Sequence, residues 1–163
     1  MEQFQFLRDK ANEKIKVADH MLFMTYPLLK DPKLLLSVVE NVHCALDYAV
    51  ASLLHHEKLF KRIPAFQETW QSRFDMFKNT VVPQQKINQS YVKLISDVKI
   101  LLTAHKKSPV SFAKNDKFVI LSPKYDIKQL DVNMVKKYVF EAKIFVQQIN
   151  VIVSKNERIF ARS

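Results

Sequence analysis

Apolar side chains recur at intervals of three and four in five separate stretches of this 163-residue chain. An α-helix turns once every 3.6 residues, so that spacing gathers the apolar groups of each stretch on one face and predicts five helices that pack by those faces. The first is read from Phe4 to Met24 through Phe4, Leu7, Ala11, Ile15, Ala18 and Leu22, with Tyr26-Pro27 as its end. Asp31-Pro32 then offers a capping carboxylate followed by proline at a first helical position, where a missing N–H costs nothing. The second helix is predicted from there to about Phe60, with Leu34, Val38, Val42, Ala45, Leu46, Ala49 and Leu53 as a broad stripe. A shorter third helix over Ala65 to Lys78 turns Phe66, Trp70, Phe74 and Phe77 toward the second, and Pro83 stops it. The fourth covers about Lys86 to His105 through Ile87, Tyr91, Leu94, Ile95, Val98, Leu101 and Leu102. The fifth runs from Asp131 to about Phe160 through Val135, Val139, Ala142, Phe145, Val146, Ile149 and Val153.

Residues 106–130 lose this period. Ser108-Pro109, Asn115-Asp116 and Ser122-Pro123 are turn signals around the apolar run Phe118-Val119-Ile120-Leu121, which predicts a short β-hairpin or extended insertion. The expected fold is all-α: one domain over residues 1–163, an up-and-down bundle of four to five helices with an insertion at about 106–130 before the last helix.

Composition narrows the chemistry. Glycine is absent, although average usage would supply roughly eleven in a chain this long. Phosphate-cradling P-loops, dinucleotide-binding glycine turns and GxSxG nucleophile elbows need a backbone that takes positive φ or approaches a ligand closely, so these enzyme classes are excluded. Cys44 is the single cysteine, which excludes an internal disulfide and a cysteine-rich zinc site and makes a reducing cytoplasm the expected setting. The opening Met1-Glu2-Gln3-Phe4 reads as the start of an amphipathic helix, not a secretion signal. No apolar run approaches the ~20 residues that span a bilayer, so no membrane partner is expected.

Lys and Arg number 26 against 16 acids, a formal net charge of +10. Nucleic acid or another polyanion is the partner such a surplus implies, and a lysine-rich source composition is the plain alternative. Placement adds to the total. On the last helix Lys136, Lys137, Lys143, Lys155, Arg158 and Arg162 fall within roughly a third of the circumference. In the irregular segment Lys106, Lys107, Lys114, Lys117, Lys124 and Lys128 alternate with Phe112, Phe118 and Tyr125. Lysines attract phosphate and exposed rings stack on unpaired bases; alternatively, the rings are core and the lysines ordinary surface. Phe140, Ile144 and Val151 lie inside the basic arc, away from the main apolar stripe, so they face either a second helix or a homodimer seam.

The candidate reactive groups are few. Glu40-Asn41-Val42-His43 has the Glu-x-x-His spacing of one half of a di-iron site, but no second copy exists and no metal or cofactor is assigned. Asp47 and Cys44 lie within a turn of His43. Neighbours on one straight helix cannot surround a substrate carbon, so a solvated or subunit-facing helix surface is expected there, and no catalytic residue is assigned. Glu40, His43 and Asp47 remain the acid–base cluster to test if the chain is an enzyme. His55-His56-Glu57 and His105 read as imidazoles near helix C-termini, where the dipole favours them.

The stretch Glu40-Asn41-Val42-His43-Cys44-Ala45-Leu46-Asp47-Tyr48-Ala49 and the helix from Tyr138 to Val153 resemble the HEPN superfamily, small bundles of four to five helices that often dimerise. Leu59-Phe60-Lys61-Arg62-Ile63-Pro64 and His105-Lys106-Lys107-Ser108-Pro109-Val110 also resemble a family of uncharacterised archaeal proteins. Catalytic HEPN members carry Arg, four to six residues, then His on one helix. Here the arginines are Arg8, Arg62, Arg73, Arg158 and Arg162, and the only histidine that follows one of them on a helix is His20, twelve positions after Arg8. The resemblance therefore implies a non-nuclease member. The expected function is a cytoplasmic, non-catalytic helical module that binds RNA or another polyanion through Lys136, Lys137, Lys143, Lys155, Arg158, Lys106, Lys107, Lys114 and Lys117. The alternative is a protein-interaction or scaffold bundle, a homodimer or inactive partner subunit, joined through Phe140, Ile144 and Val151.

Overall fold

Two prolines that the sequence marks as helix stops lie inside helices. In the computed structural model, which describes residues 1–108, 110–122, 124 and 126–155, helix α1 spans Gln3–His20, widens into a π-helical turn at Met21–Thr25 and closes with a last turn, Tyr26–Leu29, that contains Pro27. Helix α3 repeats the device: Trp70–Met76, a π-helical turn at Phe77–Val81, then Val82–Gln85 around Pro83. Proline has no N–H to donate and its ring crowds the carbonyl four residues back. Widening the preceding turn accommodates both, and the N–H groups of Tyr26 and Val82 reach back five residues to the carbonyls of Met21 and Phe77. Each helix then ends three residues after its proline, on a lysine in the left-handed region: Lys30 at φ 49° and Lys86 at φ 54°.

The other helices follow their caps. Helix α2, Lys33–Leu59, starts where the Asp31 carboxylate accepts the Lys33 N–H at 3.0 Å. Helix α4, Gln89–Lys107, is capped by Asn88, and helix α5, Val132–Ser154, by Asp131, whose carboxylate accepts the Met134 N–H at 2.9 Å. Residues 65–69, expected to be helical, precede α3 as irregular chain, because Thr69 caps that helix by accepting the Ser72 N–H.

The insertion is more than a hairpin. It forms a three-stranded antiparallel sheet in the order β1 (Val110–Lys114), β2 (Lys117–Leu121), β3 (Ile127–Leu130). The described chain is thus mostly helical and broadly all-α, as expected, with the correction that a small sheet precedes the last of its five helices. Pairing is in register with Phe112 opposite Val119 and Phe118 opposite Leu130. Side chains alternate across a strand, so Phe118, Ile120 and Leu130 share the inner face, and all three are buried.

Helix α2 is the centre of the core. Leu35, Val38, Val39, Val42, Ala45, Leu46, Leu53 and Leu54 are covered on it, against α1 and α5 on one side and α3 and α4 on the other. Among the described residues it is the one helix long and apolar enough to cross a bilayer, and half of that apolar stretch is buried within the protein. α1 and α5 run antiparallel, joined by Lys143 to Asp19 at 3.0 Å and by Asn150 to Asn12 at 2.8 Å. Among the described residues the buried polar side chains are Ser52, His56 and Glu57. The Ser52 hydroxyl donates to the Phe4 carbonyl at 2.7 Å. Glu57 Oε1 lies 3.1 Å from His56 Nδ1 and accepts Arg62 Nη1 at 3.0 Å. His56 lies in the last turn of α2, as expected of an imidazole near a helix C-terminus, and is covered there, wedged against Phe4 and Phe60.

Candidate functional site

The topology brings the irregular segment's lysines and the start of α5 to one end of the molecule. β1 leaves α4 directly after Lys106 and Lys107, both exposed. At the far end of β1, Lys114 pairs across the hairpin with Lys117, and the two-residue loop turns on Asn115 at φ 55°. The next register pair, Phe118 with Leu130, places that hairpin tip beside Asp131 and the first turns of α5, which carry exposed Lys136 and Lys137.

The sheet's outer face follows from the same register. Val110, Phe112 and Lys114 of β1, Lys117, Val119 and Leu121 of β2, and Ile127 and Gln129 of β3 share it. Phe112 is 42% exposed there, and Val110 and Ile127 are also open. The aromatic rings of the segment therefore divide. Phe118 is core, packed edge-on against His105 at 5.9 Å, while Phe112 is presented to solvent between lysines. Tyr125 lies outside the described residues.

The α5 stripe divides as well. Lys143 is held by Asp19 of α1, and Lys137 lies 3.9 Å from Glu141 one turn on. Lys155 follows the last turn of the helix, nineteen positions beyond Lys136, a separation of about 28 Å at 1.5 Å per residue. Arg158 and Arg162 lie outside the described residues. Of the apolar outer positions, Phe140 is 65% and Val151 60% exposed, and Ile144 is half-buried.

A second feature opens at the same end. Glu40, His43 and Cys44 on α2 face Lys99, Leu102, Thr103, His105 and Lys106 on α4 across a cavity of about 350 Å³. Positions 40, 43, 44 and 99, 102, 103, 106 are each spaced by helical turns, so two straight helices present matching walls. Beyond Lys99, α3 packs on α2: Arg73 grips Asp47 with two hydrogen bonds, 2.8 and 3.1 Å, and Trp70 stacks on Phe74 while its ring receives Lys99 Nζ at 4.8 Å. The sheet meets α4 at His105, whose Nδ1 lies 3.2 Å from Ser111 Oγ.

The helix face at Glu40 and His43, expected to be solvated or subunit-facing, is exposed at Glu40 and forms one wall of a cleft, while Asp47 is paired with Arg73. Burial lowers the His43 pKa, and Lys99 and Lys106 lower it further against the opposing pull of Asp47, which favours a neutral imidazole. Burial raises the Cys44 pKa and keeps it a thiol. Sequence reasoning missed Lys99, Leu102, Thr103 and His105 as a site. The signal available was polar residues at helical spacing inside an otherwise apolar helix. Among the described residues no three His, Cys, Asp or Glu side chains come together as a metal-holding group. The chain matches no protein-family model, and it finds no match among curated proteins or solved structures.

Proposed function

We propose that this protein is a non-catalytic module that binds single-stranded RNA or a similar polyanion at its sheet end. The observation that carries the reading is the outer face of the sheet, where exposed Phe112 lies on the same side as Lys114 and Lys117. An open ring with two ammonium groups beside it at the hairpin tip suits a flexible strand, because the ring stacks on any base while the lysines neutralise phosphates. Lys106 and Lys107 after α4 and Lys136 at the start of α5 extend the positive surface, while Lys137 lies 3.9 Å from Glu141. Lys143 has its own partner and Lys155 is remote, so neither belongs to this site. Without the Arg-and-His spacing of the HEPN nucleases, the likeness to that superfamily supports binding and not cleavage.

Binding of a short mixed-sequence RNA is expected to weaken steeply with salt as counterions are released. Phe112→Ala should cost about 1–3 kcal/mol of that affinity, and Lys114→Glu with Lys117→Glu should flatten the salt dependence by about one unit for each phosphate no longer neutralised. Absence of salt-sensitive binding at low ionic strength overturns the reading.

The exposure of Phe140 and Val151 favours a second reading, a homodimer or scaffold contact through α5. In that case Phe140→Asp yields a monomer of unchanged thermal stability, and charge reversal at the sheet lysines has no effect on assembly.

A further inference from the structure

Apart from Lys106, which also borders the polyanion surface, the cleft between α2 and α4 is lined by groups that neither reading uses. Its α4 wall carries two ammonium groups, Lys99 and Lys106, with the Thr103 hydroxyl between them on the same side of the helix. His43 and His105 each add a ring nitrogen able to donate. Leu102 and the Cys44 thiol form apolar wall between these groups, and Lys99 Nζ lies over the Trp70 ring at 4.8 Å. Among the described residues Lys106 is engaged in no ion pair, so its charge is not neutralised from within. A volume of about 350 Å³ is at the small end of the range for small-molecule sites, large enough for one ring or short chain with a charged head and too small for a polymer to thread.

We infer that this cleft binds a small organic oxyanion, a single phosphate or carboxylate head on an apolar body, with the head set among Lys99, Thr103 and Lys106 and the body against Leu102 and Cys44. The donors all come from one wall, which orients the head toward α4. His43, neutral at the end of the opposite wall, supplies an N–H without adding a third fixed charge. Glu40 lies across from Lys106 and disfavours a ligand with a second negative group on that side. The two sites meet only at Lys106: Leu102 and Cys44 lie on helices and not on the strands whose outer face carries Phe112, Lys114 and Lys117.

The test is a titration of the whole isotope-labelled chain with phenyl phosphate, benzoate and the neutral benzyl alcohol, followed by amide NMR, with iodoacetamide alkylation of Cys44 measured in parallel. Saturable shifts confined to residues 40–44 and 99–106 with at least one anion, together with protection of Cys44, are expected; which of the two anions binds tighter distinguishes a phosphate from a carboxylate head. Thr103→Val and Lys106→Ala should each weaken binding about tenfold, the cost of one charge-assisted hydrogen bond, with unchanged melting curves. Lys86→Ala, remote from the cleft, should bind normally. Phe112→Ala should also retain anion binding even where it loses RNA, which separates this site from the polyanion surface. Equal shifts with benzyl alcohol, no saturable shift with either anion, or unprotected Cys44 at saturating anion would overturn the inference.

Discussion

Lys30, Lys61 and Lys86 each close a helix from the left-handed region, at φ 49°, 59° and 54°. At Lys61 the wrap is a full Schellman pair, with Arg62 N–H on the Glu57 carbonyl and Lys61 N–H on that of Lys58. A side chain there crowds its own carbonyl by about 1–2 kcal/mol, partly offset because a glycine would be freer in the unfolded chain. Lys30→Gly and Lys86→Gly are therefore each expected to stabilise the protein by about 0.5–1 kcal/mol, read from thermal melts. Glu57 is the opposite case. Burial pushes its carboxyl up, but the His56 hydrogen bond, Arg62 and Gln85 outweigh burial and hold it below the ordinary 4.5. A carboxyl depressed in the folded state contributes stability above 4.5 and loses it as pH falls through the lowered value. Glu57→Ala should cost about 2–3 kcal/mol at neutral pH, less than a fully enclosed pair because Arg62 is half-exposed, and should blunt acid denaturation in that window. His43 has the same sign: its pKa is lowered from 6.5, so the fold loses stability as pH drops below 6.5, and His43→Gln should remove that share of the loss, as measured by denaturant midpoints across pH.

At the scale of elements, each helix's existence was legible, and so was the end of α2 near Phe60, but the proline-marked ends of α1 and α3 were not. The three-and-four spacing located all five helices, and Asp131 and Asp31 announced the starts of α5 and α2. Asp131→Ala should cost about 1 kcal/mol and increase hydrogen exchange in β3, which feeds directly into that cap. Pro27 and Pro83 misled because proline's cost was weighed against a regular helix, whereas a single π turn absorbs it while burying Leu22, Phe77 and Val81. In the insertion, the run Phe118 to Leu121 marked β2. β3, with only Ile127 and Leu130 apolar, gained its strand character from pairing with β2, a partner no local pattern names. The site was partly readable for the same reason. Lys106, Lys114 and Lys117 stood out by charge, and Glu40 and His43 by spacing, but the cleft exists only once α4 lies against α2.

At the scale of the whole molecule, the pairing of α1 with α5 links residues 124 and 138 positions apart, as Asp19 with Lys143 and Asn12 with Asn150. α2 meanwhile depends on α5 to cover one flank of its apolar surface. During synthesis the α1–α2 pair emerges before α5, and the flank of α2 that α5 covers stays without its final cover until residues 132–154 leave the ribosome. The protein therefore completes its core late, and its refolding should be slower than its helical content alone suggests, because the closing contacts span nearly the whole chain. A chain ended at residue 130 is expected to retain helix while exposing α2, binding a hydrophobic dye and aggregating where the full chain does not.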